Sequence, residues 1–210
     1  MLRRSFIAIT ALLFASTAGA EVVQGRDYQV LPAPQPSSTP GKIEVIEFFS
    51  YGCPHCAEFH PAVKKWAASL PSDAVFVRIP VSFGRREWGQ LVRAYYALVQ
   101  TGDLEKVDDA LFSAIHVERK PLFTEESLAS WVAEKGGNAA KFREAFNSFD
   151  VSQKSLRAEQ LTRNYRVSGV PQLTINGKYV ALGQNYDDML RIASELVERE
   201  RAATKGAKAR

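Results

Sequence analysis

The chain of 210 residues contains two cysteines, Cys53 and Cys56, which lie three positions apart in the stretch FFSYGCPHCAEF. Two thiols at this spacing can form a disulfide with each other, exchange that disulfide with another thiol, or contribute ligands to a metal site. The structural elements that position the two sulfurs decide which of these chemistries they perform.

A buried strand is predicted directly before the cysteines and an amphipathic helix directly after them. Residues 43–49, IEVIEFF, carry apolar side chains on both faces, as in a central strand that is covered on each side. From Pro54 to about Leu70 apolar residues recur at helical spacing, and Pro61 is expected to kink this helix. Cys53 therefore falls at the N-cap, and Pro54 in the first turn, where a missing N–H costs nothing.

The N-terminus of a helix favours a thiolate at Cys53. Its sulfur would face backbone N–H groups that have no intrahelical partner, and the positive end of the helix dipole. The thiolate is the nucleophile in disulfide exchange, and an acidic thiol is also the better leaving group. A charged His55, between the two cysteines, would lower the pKa of Cys53 further. We therefore predict a redox-active pair in which Cys56, one turn further along, closes the ring with Cys53.

Two other roles for the cysteines remain open on this evidence. A metal site of Cys53, Cys56 and His60 would lack the fourth ligand of a closed structural zinc site, and no second Cys/His pair is spaced to complete it. An inert structural disulfide is the other alternative, but a link between residues three apart closes a very short loop and constrains the unfolded chain little. We expect His60 and His116 to be structural or surface histidines rather than catalytic ones.

Residues 1–20 have the three parts of a secretory signal peptide. Arg3 and Arg4 precede an apolar run, and Ala18-Gly19-Ala20 precede the expected cleavage site. The apolar run is short for a membrane-spanning helix, and no later segment approaches the ~20 apolar residues that spanning needs. We therefore expect a soluble, exported protein in a compartment such as the bacterial periplasm, where disulfides persist.

Composition argues against nucleic-acid binding and against a disulfide scaffold. The chain has 27 basic and 23 acidic residues, and without Arg3 and Arg4 the numbers are 25 and 23, a net charge of +2. Basic residues are scattered among acidic ones, and the unbalanced cluster is the C-terminal tail, 205–210, which is expected to be solvated. Two cysteines cannot staple a chain of this size.

The first half of the exported chain predicts a right-handed strand–helix–strand unit. A short apolar stretch at 28–31 is followed by PAPQPSSTPG, 32–41, which is typical of a surface linker. The segment AVFVRIPV, 74–81, is rich in β-branched residues and is the second strand of the unit.

A long helical region and a hairpin are predicted in the second half. Residues 86–166 show helical patterns, with N-caps expected at Thr124, Asn138 and Asp150 and a stop at Gly136-Gly137. Asn176-Gly177 is a strong turn signal within 172–182, and a final helix follows. We therefore predict an α/β protein with an inserted helical domain. The predicted segments are the first part of the α/β domain at 21–82, the insertion at 83–166, the second part at 167–204 and the basic tail at 205–210.

The motif EFFSYGCPHC, with GVPQLTING more than a hundred residues later, resembles the thioredoxin superfamily and, within it, the DsbA family of thiol:disulfide oxidases. The resemblance covers nearly the whole exported chain, and Pro54-His55 is the dipeptide associated with that family. It implies a thioredoxin-like fold interrupted by a helical domain. Gly52 departs from the pattern, because some relatives carry a bulky aromatic there. We therefore expect a flatter surface around the disulfide and a different client range.

The resemblance also implies roles for three residues away from the cysteines. Pro171 would follow a cis peptide bond and lie against the cysteines, where Val170 and its backbone pair with a bound substrate strand. Glu47 would be a buried acid beneath the disulfide that assists proton transfer at the inner cysteine, with a pKa raised by burial. The alternative is a Glu47 that reaches solvent at the strand end.

The activity that the resemblance implies is that of a monomeric, exported dithiol oxidase without a bound cofactor. Such a protein oxidises reduced exported polypeptides through a mixed disulfide at Cys53 and is reoxidised by a DsbB-like, quinone-linked membrane oxidase. One alternative is a disulfide reductase or isomerase of the same fold, although residues 21–41 are too few for the dimerisation domain that such isomerases add. Another is a peptide-binding chaperone with a structural disulfide.

Overall fold

The computed structural model describes residues 21–208, so the predicted signal peptide, 1–20, and the last two residues of the predicted tail lie outside the described residues. The strands are β1 (Tyr28–Val30), β2 (Ile43–Phe49), β3 (Ala74–Pro80), β4 (Gln172–Ile175) and β5 (Tyr179–Ala181). The helices are α1 (Pro54–Ala67), α2 (Arg86–Thr101), α3 (Leu104–His116), α4 (Glu125–Glu134), α5 (Ala139–Phe146), α6 (Phe149–Asn164) and α7 (Tyr186–Lys208). In the described part of the chain, none of these helices combines the length and apolar character needed to cross a bilayer.

The five strands form one mixed sheet in the order β1-β5-β4-β2-β3. Strand β2 is central, pairing in parallel with β3 and antiparallel with β4, and all seven of its residues are buried. This confirms the prediction of a strand covered on both faces. Helix α1 makes the crossover between β2 and β3, so the cysteines lie where the central strand ends and this helix begins.

The β4–β5 hairpin turns at the predicted Asn176-Gly177 pair. Both residues have positive φ, 52° and 63°, as the tight turn between twisted antiparallel strands requires. A Cβ on Gly177 would collide with the backbone carbonyl of Gln35, because the predicted linker packs against this turn. The amide of Gln35 donates to the carbonyl oxygen of Gly177 at 2.8 Å.

Helices α2 to α6 lie between β3 and β4 in the chain, as the patterns predicted for this region. Their apolar faces form a cluster around large buried side chains such as Leu111, Trp131 and Phe142. Cys53 and Cys56 belong to the same cluster. The two thiols therefore lie at the boundary between the sheet and the helical region.

Two of the three predicted helix caps are confirmed, and the third is wrong. The side chains of Thr124 and Asn138 accept hydrogen bonds from the amides of Ser127 and Lys141 at the start of α4 and α5. Helix α6 instead begins after Ser148, whose hydroxyl accepts from the amide of Val151. Asp150 lies in the first turn, where its charge still favours the helix, and its carboxylate pairs with Lys154 at 2.7 Å.

Candidate active site

Cys53 is the N-cap of α1, and Pro54 is in the first turn, as predicted. Cys53 has extended backbone angles, φ −96° and ψ 120°, and its amide donates to the carbonyl of Ser50. Both cysteines are free thiols. Cys53 is 6% exposed and Cys56, one turn inside the helix, is fully buried, so an incoming thiol meets Cys53 first.

The environment lowers the pKa of Cys53 to about 6. The hydrogen bond from the Cys56 thiol is the largest cause, and burial acts in the opposite direction. The backbone N–H groups of Cys56 and His55 at the helix N-terminus lower this pKa further, and the charge of His55 makes the smallest contribution. At neutral pH Cys53 is therefore held mainly as a thiolate.

Cys56 has the opposite character. Burial raises the pKa of its thiol far above the ordinary value, and the hydrogen bond to Cys53 and the Cys53 charge raise it further. The carboxylate of Glu47 lies close enough for its charge to add to this effect. The pair is thus asymmetric, with an outer sulfur that stays ionised and an inner sulfur that stays protonated.

The Val170–Pro171 peptide bond is cis and lies against the cysteines, as the resemblance implied. The Sγ of Cys53 is 3.4 Å from the carbonyl oxygen of Val170, although 117 positions separate the two residues. Val170 and Pro171 are only half-buried. Their backbone therefore remains available at the edge of the site.

His55 is the exposed residue of the motif. Its side chain is 70% exposed, and its Nδ1 lies 3.5 Å from a carboxylate oxygen of Glu58. The carbonyl of His55 accepts a hydrogen bond from the Tyr186 hydroxyl at 3.1 Å, which ties the start of α7 to the active-site turn. The imidazole thus sits at the surface and acts on Cys53 through charge.

Glu47 does not reach solvent, so that alternative is wrong. Its side chain is 1% exposed, and Oε2 accepts from Nε of Arg78 at 2.8 Å. Burial raises the pKa of Glu47, while the Arg78 guanidinium opposes the rise. Because β2 and β3 are parallel with Glu47 opposite Arg78, the inner acid of β2 and the one base of β3 become partners.

A family model and similar known proteins place the chain in the same family. The family model described as DSBA-like thioredoxin domain matches residues 44–196. The chain belongs to this family. The thiol:disulfide interchange protein DsbA of Pseudomonas aeruginosa is 38% identical over 204 residues, 96% of each chain. That of Pseudomonas syringae pv. tomato is 39% identical over 214 residues, 98% of this chain and all of the relative.

Solved structures agree with this membership of the DSBA-like family. The crystal structure of Pseudomonas aeruginosa DsbA matches with a TM-score of 0.83 and 41% identity, covering 86% of this chain and 95% of that one. DsbA from Xylella fastidiosa matches with a TM-score of 0.82 and 34% identity, covering 86% and 98%. The chain is accordingly a thiol:disulfide oxidoreductase with a thioredoxin-like fold, and the chaperone alternative is not favoured.

Trp88 was not foreseen as part of the site of this DSBA-like protein. The half-buried indole of Trp88 from α2 covers Gly52, the position at which we expected a flatter surface. The Arg85 guanidinium stacks on the same indole at 4.5 Å. The aromatic group beside Cys53 therefore comes from a different element, which no local pattern around the cysteines could indicate.

Sequence reasoning also missed a polar network behind the cysteines. Arg78 donates to Asp108 on α3 at 2.7 Å, and Asp108 also accepts from the hydroxyl of Tyr51. His60 is buried, with Nε2 2.8 Å from Oδ1 of Asp109. The signal that could have revealed the network is the placement of charged residues within otherwise apolar strands and helix faces.

The histidines do not join a metal site with the cysteines. Among the described residues, the group with ligand atoms close enough for a cation is His60, Asp108 and Asp109, which includes neither thiol. Arg78 and Lys64 already pair with its two carboxylates, at 2.7 Å in each case. His116 has a structural contact, since its Nε2 is 2.7 Å from the carbonyl oxygen of Tyr51.

Proposed function

We propose that this protein is an exported dithiol oxidase that donates a Cys53–Cys56 disulfide to reduced exported polypeptides. A client thiolate attacks the Cys53 sulfur, and Cys56 departs as the S–S bond breaks, leaving a mixed disulfide between the client and Cys53. A second client thiolate then attacks the client sulfur, and Cys53 departs as a thiolate. Two electrons pass from the client to the protein, and the client gains a disulfide.

The observation that carries this proposal is the asymmetry of the two thiols. A group whose pKa is lowered to about 6 leaves readily as a thiolate, so release of the client from Cys53 is favoured. The same stabilisation favours the dithiol form and makes the disulfide a better oxidant. A reductase would need a dithiol form that is less stabilised relative to its disulfide, so that it gives up electrons more readily.

The proposal also assigns roles to the residues around the two sulfurs. The Val170–Pro171 backbone, half-buried beside Cys53, binds the client strand, and His55 stabilises the Cys53 thiolate by charge. Glu47 exchanges a proton with Cys56. The leader-like pattern at 1–20 supports a periplasmic location, and a DsbB-like quinone-linked membrane oxidase would restore the disulfide of this monomeric protein.

Equilibration with glutathione redox buffers tests the proposal. The fraction of protein in the dithiol form, measured by thiol alkylation and mass, gives the reduction potential. We expect a potential well above that of thioredoxin, the reducing member of the superfamily at about −270 mV. A potential at or below that value would instead support a reductase.

A further inference from the structure

A small cavity lies between α1, β2, β3 and α3. It has a volume of about 160 Å³ and is lined by Glu47, His60, Arg78 and Asp108 together with apolar side chains. Since one water occupies about 30 Å³ of liquid, the cavity has room for several waters. Most of its wall is apolar, but charged or titratable side chains from all four elements reach it, Lys64 among them, so it is not a wholly apolar void.

The contacts around this cavity form a series that runs from Glu47 to the surface. Glu47, whose charge acts on Cys56, pairs with Arg78 at 2.8 Å. Arg78 pairs with Asp108 at 2.7 Å, and Nε2 of His60 is 3.5 Å from the same carboxylate. His60 then contacts Asp109, whose side chain is two-thirds exposed.

Three side chains of the cavity wall carry buried polar atoms that lack a hydrogen-bond partner in the described part of the chain. These atoms are Oε1 of Glu47, Nδ1 of His60 and Nη2 of Arg78. A buried polar atom without a partner costs about 1–3 kcal/mol. A buried polar atom without a partner calls for an explanation, such as a bound water or a role in the reaction. Oε1 of Glu47 and Nδ1 of His60 are both able to carry a proton.

The proposed exchange reaction requires a proton at this place. When a client thiolate attacks Cys53, the departing Cys56 is fully buried and is a poor leaving group as a free thiolate. Protonation of its sulfur by Glu47 as the S–S bond breaks removes this penalty. Glu47 is then left as a buried carboxylate and must recover a proton from solvent, from which it is shielded.

We propose that His60 is the group through which Glu47 recovers its proton. The protonated imidazole gives a proton across the cavity to the Glu47 carboxylate, by way of cavity water, and regains one from solvent on the side of Asp109. His60 does not touch the reacting sulfurs and acts on Cys56 only through Glu47. This inference rests on the proposed exchange reaction and on the proposed role of Glu47.

Charged groups from each surrounding element face His60 and define its electrostatic setting. On its own helix, α1, Lys64 is near, and β2 and β3 contribute Glu47 and Arg78. Helix α3 contributes Asp108 and Asp109, and His116 lines a neighbouring cavity that His60 also borders. Two carboxylates, Asp108 and Asp109, lie at the imidazole, and the same two carboxylates also pair with Arg78 and Lys64.

The test is the single-turnover reduction of the oxidised full-length protein by dithiothreitol, with each rate divided by the thiolate fraction of the reagent. Wild-type protein should show a corrected rate that falls as pH rises from 5 to 8, the range in which histidines lose their charge. His60→Gln should lower the rate about tenfold at pH 5.5, less than a full general-acid effect because cavity water still transfers protons slowly. Its pH profile should be flat.

His116→Gln is the matched control. His116 packs against the same ring of Phe112 as His60 does, but its Nε2 contacts a backbone carbonyl instead of an acidic side chain. This variant should retain the wild-type rate and profile. A His60→Gln variant with the wild-type rate and profile would overturn the relay.

Glu47→Gln distinguishes failure of the His60 relay from failure of the proposed role of Glu47. If Glu47→Gln slows exchange and His60→Gln does not, the relay fails and the role of Glu47 stands. If neither variant slows exchange, the relay and the role of Glu47 both fail. If the wild-type protein shows no exchange, the proposed function itself fails.

Should His60→Gln not fold, ¹⁵N NMR of the wild-type histidines decides, since a His60 ring that keeps one protonation state from pH 5 to 8 cannot relay the proton.

Discussion

The indole of Trp88 lies in the space that a side chain at position 52 would occupy. An ideal Cβ on Gly52 would be 2.5 Å from Nε1 of Trp88, closer than any real contact of this kind. The absence of a side chain before Cys53 is therefore matched by a large side chain from α2, and the two residues determine together the surface beside the reactive sulfur.

Gly52→Ala should destabilise the fold by about 1–3 kcal/mol, because the new methyl group forces the partly buried indole to move. The control is Gly89→Ala, next to Trp88 on the same helix, where a Cβ meets no atom within 4 Å. That change should stabilise the protein by roughly 0.5–1 kcal/mol, since alanine is the better helix former. Urea unfolding measures both, and a Gly52→Ala variant as stable as wild type would contradict the packing argument.

Cys56→Ala should trap mixed disulfides and Cys53→Ala should trap none. Cys53 lies at the helix N-terminus beside Val170, whereas Cys56 is fully buried. Each variant is mixed with a disulfide-containing peptide, and the adducts are counted by mass spectrometry without reductant. Equal trapping by both variants would reverse the assignment of the nucleophile.

The dithiol form should gain stability relative to the disulfide form as pH rises from about 5 to 8. The folded pKa of Cys53 is about 6 and the unfolded value is higher, so the stabilisation is complete above the unfolded value and disappears as pH falls through 6. With allowance for solvent screening, we expect roughly 1 kcal/mol at pH 7. Urea melts of both redox forms across this range check the sign, and Cys53→Ala, which has no thiolate at this position and cannot form the disulfide, should lack the stability gain of the dithiol form between these limits.

Arg78→Met should destabilise the protein by about 3–5 kcal/mol, because it leaves the Glu47 carboxylate buried without its partner. Lys154→Met removes one member of the exposed pair with Asp150 and should cost less than about 1 kcal/mol. Combining Arg78→Met with Glu47→Gln should recover part of the loss. Chemical unfolding of the wild type, the three single variants and the double variant provides the comparison, and additive effects of the two buried substitutions would argue against a coupled pair.

Ser148→Ala should cost about 1 kcal/mol through the loss of the N-cap of α6. Asp150→Ala, at the position that sequence reasoning favoured as the cap, removes only a first-turn charge and an exposed ion pair and should cost about half as much or less. Thermal melts distinguish the two, and the reverse order would restore Asp150 as the cap.

The chemistry of the site was predictable wherever it depends on neighbours in the chain. The buried strand β2, the proline in the first turn of α1 and the position of Cys53 at the N-cap follow from apolar periodicity and from helix-end preferences. The Asn176-Gly177 turn was predictable for the same reason, because its positive φ angles suit those residue types. The sequence alone thus determined a reactive cysteine at the end of a central strand.

Tertiary structure decided which distant groups surround that cysteine. Strand register placed Arg78 beside Glu47, and helix packing brought Trp88 to Gly52 and α3 to His60. The buried location of Glu47 could be stated as one of two alternatives but not chosen, because no neighbour in the chain reveals what surrounds an acid in an apolar strand. Periodicity identifies the face that a residue occupies, whereas the partner on the other side depends on how whole elements pack.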